Sequence, residues 1–125
     1  MGMYTELVIK ADLSESVPID VIEFMFAGGQ TPNELPSHAF FSCPRWSMIG
    51  SGSSHYHHPE AVNSLPKLSY TDSRSLFSRS DLKNYDDEIS LFIDWINPYI
   101  NATVGQCIGW EWYEEDEKPT LLFKK

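Results

Sequence analysis

The stretch Ser80-Asp81-Leu82-Lys83-Asn84-Tyr85-Asp86-Asp87-Glu88-Ile89-Ser90-Leu91-Phe92-Ile93-Asp94-Trp95-Ile96-Asn97-Pro98-Tyr99-Ile100 decides the fold. Asn84 suits a helix N-cap, its side-chain oxygen accepting from the amide of Asp86 or Asp87, which would otherwise lack a partner. Asp86, Asp87 and Glu88 then fill the first turn, where the positive end of the peptide dipoles favours carboxylates. Ile89, Phe92, Ile93, Ile96 and Ile100 recur at the spacing of one helical face, with Leu91 and Trp95 at its flanks. A face this broad suits a helix lying flat on a sheet. Pro98 has no amide hydrogen and drives Asn97 out of the helical region, so the helix should end near Asn97.

Upstream, Met3 to Ala11 reads as a strand: Tyr4, Glu6, Val8 and Lys10 alternate with Thr5, Leu7, Ile9 and Ala11. A short helix follows, capped by Ser16, with Pro18 in its first turn and Val21, Ile22 and Met25 inside. Gly28-Gly29 ends it, because glycine takes the left-handed conformation without steric cost. Residues 29–45 read as a loop punctuated by Pro32, Pro36 and Pro44, with Phe40 and Phe41 pinning it to the core. Trp46 to Ser51 reads as a second strand. Lys67 to Tyr70 and Arg74 to Asp81 read as a hairpin around Thr71-Asp72-Ser73. Leu76, Ser78, Ser80 and Leu82 share one of its faces, and Phe77, Arg79 and Asp81 the other. Downstream of the long helix, Gln106 to Glu114 reads as a strand carrying Ile108, Trp110 and Trp112 on one face, and Thr120 to Phe123 as the last strand.

This order, β-α-β-β-β-α-β-β, predicts an α+β fold: a single antiparallel or mixed sheet with both helices on one face, an elaborated ferredoxin-like sandwich. At 125 residues there is room for one domain, spanning 1–125, with one core. No basic leader precedes an apolar run at the start, and no apolar stretch approaches ~20 residues. The expectation is a cytoplasmic protein without a membrane segment. Cys43 and Cys107 then read as reduced core thiols.

The net charge of −9 argues against direct nucleic-acid binding, which rests on Lys and Arg against phosphate. Its distribution is uneven. Residues 38–83 hold five bases (Arg45, Lys67, Arg74, Arg79, Lys83), only three acids, and all four histidines. Such a middle third on an acidic body could build an anion site, or the segregation could be that of a solvated surface. In the site reading, Arg45, Arg74, Arg79 and Lys83 contact phosphate while Trp46 or Tyr56 stacks a base. The free amides at the start of the second helix would assist.

His55, His57 and His58 are weak candidates for a metal. On an extended backbone His55 and His57 point the same way, and His38, Cys43 or Cys107 could add a third ligand. No Cys-x-x-Cys, His-x-x-x-His or Glu-x-x-His pairing supports them, so no cofactor is expected. Gly50-Ser51-Gly52-Ser53-Ser54 lacks the lysine and following helix of a Walker loop. No Gly-x-Ser-x-Gly turn points to a serine nucleophile. Trp110 and Trp112 are either core beneath the helices or an exposed anchor for a base or a partner.

Met3-Tyr4-Thr5-Glu6-Leu7, Leu82-Lys83-Asn84-Tyr85-Asp86-Asp87-Glu88-Ile89 and Trp95-Ile96-Asn97-Pro98-Tyr99-Ile100 resemble a group of small uncharacterised proteins encoded by phages and prophages. Cys43-Pro44-Arg45-Trp46, Tyr113-Glu114-Glu115 and Lys118-Pro119-Thr120-Leu121 extend the resemblance over most of the chain. It implies a small accessory phage protein in the host bacterial cytoplasm, of a kind that meets host defence or host physiology, and it carries no catalytic residue across. Three functions follow as expectations. The leading one is non-catalytic counter-defence by sequestering a small anionic, nucleotide-like ligand. The second is an acidic inhibitor of a host defence protein, resembling an anti-CRISPR protein. The third is a metal-dependent enzyme using His55, His57 and His58. A homodimer is compatible with each.

Overall fold

The computed structural model describes residues 4–50, 62–68 and 73–125, with Val62 described by its backbone alone. Five strands, β1 (Thr5–Leu13), β2 (Val62–Ser64), β3 (Arg74–Leu82), β4 (Cys107–Tyr113) and β5 (Thr120–Phe123), form one sheet in the order β2-β3-β1-β4-β5. Every pairing is antiparallel. Helix α1 (Ile19–Phe26) lies between β1 and β2, and α2 (Glu88–Ile96) between β3 and β4. Through β4 this is the split β-α-β connectivity of a ferredoxin-like sandwich, with β5 added at one edge.

Both helices pack on the same face. Leu7, Ile9 and Leu13 of β1, Leu76 and Leu82 of β3, and Ile108 of β4 share one core cluster with Val21, Ile22 and Met25 of α1 and Ile89, Phe92, Ile93 and Ile96 of α2. The α2 stripe is the one its periodicity predicts, and each of its large side chains contributes roughly 1.5–3 kcal/mol by leaving water. The helix stops at Ile96 and Pro98 sits in a following 3-10 turn, Asn97–Tyr99.

The start of α2 is more elaborate than a single cap. Asn84 and Asp87 both take left-handed backbone, with φ of 55° and 56°. Short polar side chains tolerate that region better than others do. The two turns curl the chain so that Asn84 Oδ1 accepts from the amide of Ile89, not from Asp86 or Asp87. The Asp86 amide instead donates to Glu88 Oε1 at 3.0 Å.

Ser16 does not cap α1, which starts at Ile19 after Pro18 with no side-chain cap. Three further local readings change. Trp46–Met48 is a 3-10 turn, so the strand expected from Trp46 to Ser51 is absent over its described residues. Trp46 packs among Phe24, Phe40 and Phe41, and aromatic packing overrides the extended conformation there. The strand before the hairpin begins earlier than its sequence suggests. It forms β2 over 62–64, followed by a bridge from Lys67 to Arg74; residues 69–72 lie outside the described residues. Finally, the β4–β5 register shifts between Cys107 and Gly109. Ile108 enters the core, whereas Trp110 and Trp112 stand opposite Val8 and Glu6 on the helix-free face. A one-residue slip exchanges faces, which alternation alone cannot foresee.

Gly109 permits this arrangement. Its φ is 154°, and a Cβ there would lie 2.0 Å from the carbonyl oxygen of Val8 on the neighbouring strand. Gly109→Ala should therefore destabilise the fold by about 3 kcal/mol or more in chemical denaturation. Gly105→Ala is the comparison: φ is 92° but a Cβ would meet nothing within 4 Å, so only backbone strain of about 1–2 kcal/mol is expected. Equal effects of the two substitutions would show that close approach at β1 is not what selects glycine at position 109.

Candidate functional site

The bases of the middle third do not converge on one place. Arg74 and Lys83 stand at opposite ends of an extended segment, about 30 Å apart at the usual rise per residue. Arg74 Nη1 reaches the carbonyl of Leu65. Arg79 projects from the middle of β3 on the helix-free face, 3.8 Å from Glu6 of β1. Trp46 is half-buried in the aromatic layer over the core. Tyr56, His55, His57 and His58 lie outside the described residues. His38 is engaged elsewhere: Nδ1 accepts from the Phe40 amide and Nε2 meets Asp94 Oδ2 at 2.8 Å.

Two predicted residues do meet. Arg45 stands 5.1 Å from the Tyr85 ring, and Lys83 Nζ lies 5.1 Å and 5.7 Å from the Tyr4 and Tyr85 rings. They border a pocket at the start of α2, lined also by Met48, Asp81, Leu82 and Glu88. Its volume is about 80 Å³. That is well below the roughly 300–1,000 Å³ of ordinary ligand clefts. Two carboxylates, Asp81 and Glu88, line the same space, so the pocket is not an anion cradle. Three wider hollows, about 490 Å³ beside His38 and Trp95, about 410 Å³ beside Leu35 and Phe41, and about 300 Å³ beside Lys10 and Asn101, each contain at most one basic side chain.

The helix-free face has a different character. Strand alternation places Glu6, Val8 and Lys10 of β1, Phe77, Arg79 and Asp81 of β3, Trp110 and Trp112 of β4, and Leu121 and Phe123 of β5 on it. Val8 is 2% exposed yet belongs to no part of the core cluster, because it is enclosed on this side of the sheet. Toward the β5 edge the face is apolar and open: Trp112, Leu121 and Phe123 are 39%, 51% and 47% exposed. Trp112 is held over the β4–β5 turn by its indole N–H, which donates to the Asp116 carbonyl at 2.9 Å. That turn carries Glu114, Glu115, Asp116 and Glu117, all exposed, so an acidic rim borders the apolar patch. The signal in the sequence was the pair of tryptophans; the register shift that puts them on the face opposite Ile108, Trp112 exposed and Trp110 half-buried, was not visible there.

Comparison with protein-family models, with curated proteins and with solved structures yields no match to this chain. Among the described residues, no helix is long and apolar enough to cross a membrane. Both cysteines are free thiols; Cys43 is buried as expected, whereas Cys107, at the start of β4, is exposed and not a core residue.

Glu111, half-buried between Leu7 and Thr120, has its carboxyl raised above the ordinary 4.5, first by burial and then by the charge of Asp116. The folded chain thus holds this proton more tightly than the unfolded chain. The group's contribution to stability is greatest below the unfolded value and falls as pH rises from about 4.5 through the higher folded value. Glu111→Gln removes that loss. It should raise the melting temperature near neutral pH and leave it almost unchanged in acid, as thermal unfolding across this range can measure. A lower melting temperature at neutral pH would mean that the ionised carboxylate is stabilising.

Proposed function

We propose that this chain is a non-catalytic binding protein that docks onto a basic protein surface through the β4–β5 half of its helix-free sheet face. The observation that carries the reading is the exposed row Trp112, Leu121 and Phe123 bordered by the acidic turn 114–117. Tryptophan anchors surrounded by a charged rim are the usual anatomy of a protein interface. The net charge of −9 adds a long-range attraction toward a basic partner, and such attraction raises association rates more than it deepens affinity. The resemblance of the sequence to phage and prophage proteins supplies the setting: the host bacterial cytoplasm, with a defence protein whose nucleic-acid-binding surface is the basic partner.

Sequestration of a small anionic ligand has less support. It would rest on Arg45 and Lys83 in a pocket of about 80 Å³ that they share with Asp81 and Glu88. The enzyme reading rests on His55, His57 and His58, which lie outside the described residues, and it draws nothing from the described site.

The test pairs phage growth on defended hosts with binding measurements on the purified partner. The Trp112→Ala/Leu121→Ala variant should lose protection and weaken partner binding by more than about tenfold, while its melting temperature stays near that of the wild type. Association should slow steeply as salt rises. Full protection by this variant would end the proposal, as would loss of protection confined to Arg45→Ala/Lys83→Ala together with a nucleotide-induced rise in melting temperature. A wild-type chain that sediments as a dimer, and becomes monomeric with Trp112→Ala, would instead assign the face to a second copy of itself.

A further inference from the structure

The start of α2 holds a group of side chains that the docking reading does not use. One ligand atom each from Cys43, Asp86 and Glu88 lies within 4.8 Å of the others. Cys43 is 5% exposed and Glu88 is fully buried. Glu88 Oε1 accepts from the Asp86 amide, but Oε2 is buried with no hydrogen-bond partner among the described residues. A carboxylate oxygen taken from water and given no donor is costly, and folded proteins rarely leave one so. Acidic side chains alone would signify nothing. An enclosed, unpartnered carboxylate oxygen beside a buried thiol calls for a cation.

We propose that Cys43, Asp86 and Glu88 form a divalent-metal site of the zinc class. One sulfur with two carboxylates favours zinc over magnesium or calcium, which take oxygen ligands throughout. Tetrahedral zinc with bonds of about 2.0–2.3 Å needs ligand atoms roughly 3.3–3.8 Å apart, so the group must contract by about 1 Å. Asp86 can supply that movement: it is exposed and lies between the left-handed residues Asn84 and Asp87. The three protein ligands leave a fourth position for water.

The surrounding charges fit as well. Asp81, Arg45 and Lys83 line the adjoining pocket with Glu88. With the thiol ionised, Cys43, Asp86 and Glu88 carry three negative charges, which a doubly charged ion and the neighbouring Arg45 offset. Without metal the Cys43 thiol is pushed up, chiefly by burial and further by Glu88 and Asp86, against the lowering effect of a backbone hydrogen bond from Arg45. Binding replaces the S–H proton by an S–metal bond and releases that proton to solvent, so affinity should fall as pH is lowered.

Titrating the full-length, tag-free chain with Co²⁺ and Zn²⁺ tests the site. The expected result is one equivalent bound, with a near-ultraviolet sulfur-to-cobalt charge-transfer band that added Zn²⁺ abolishes. Cys43→Ser, nearly isosteric, should lose the band. Asp86→Asn, at an exposed position, should weaken binding by more than the roughly 10–100-fold typical of losing an outer-shell partner. Cys107→Ser and the His55→Ala/His57→Ala/His58→Ala variant should bind as the wild type does. Absence of the band, binding that survives Cys43→Ser, or binding lost only in the histidine variant would each overturn the assignment.

Discussion

The pairing of β1 on both of its edges is the constraint from which the rest of this structure follows. Residues Thr5 to Leu13 pair with β3 along their whole length, and Thr5 to Ile9 pair with β4 on the other side. Once that central strand is fixed, its alternation sends Leu7, Ile9 and Leu13 under the helices and Glu6, Val8 and Lys10 to the opposite face. The pairing to β4 requires closeness that only glycine allows at position 109, where the Val8 carbonyl occupies the space of a side chain. The strand is paired on both sides, leaving β2 and β5 as the outer strands among the described residues.

The two faces of the sheet consequently do different work. One is closed by α1, α2 and an aromatic layer in which Phe40, fully buried, touches Phe41, Trp46, Phe92 and Trp95. That layer explains how the long connection between α1 and β2 stays attached: its rings substitute for regular secondary structure as the source of burial. Among the described residues, no helix lies on the other face. Its charged centre, where Arg79 lies near Glu6, gives way toward β5 to exposed apolar side chains and then to the acidic turn. This open face is the one on which the proposed docking rests.

The start of α2 joins the features that packing alone does not account for. A fully buried glutamate, a buried thiol and two left-handed residues occur within one short corner of the molecule. Strained backbone and incompletely satisfied polar groups are expensive, and they gather where a site needs them. This corner is distinct from the apolar patch near β5, so the metal binding proposed at one and the docking proposed at the other can be tested by separate substitutions.

Much of the architecture was legible in the residues themselves. The stripe of α2, its end at Pro98, the alternation of β1 and β3 and the final hairpin are local patterns, because a side chain's place on a helix or strand repeats with a fixed period. Trp46–Met48 resisted such reading because Trp46 packs on Phe24 of α1 as well as on the nearby Phe40 and Phe41, a contact that no local period announces. The four arginines and lysines taken together as a cluster were close in sequence; extension along β3 separates Arg74, Arg79 and Lys83, and only Arg45, arriving from another segment, joins Lys83. The sequence by itself determined the two helices, the inner faces of α2 and β1, and the charge. Tertiary structure alone decided the exposure of Trp112 and the meeting of Cys43 with Glu88, because a register shift and a contact between segments forty-five residues apart depend on how separate strands and turns are brought together.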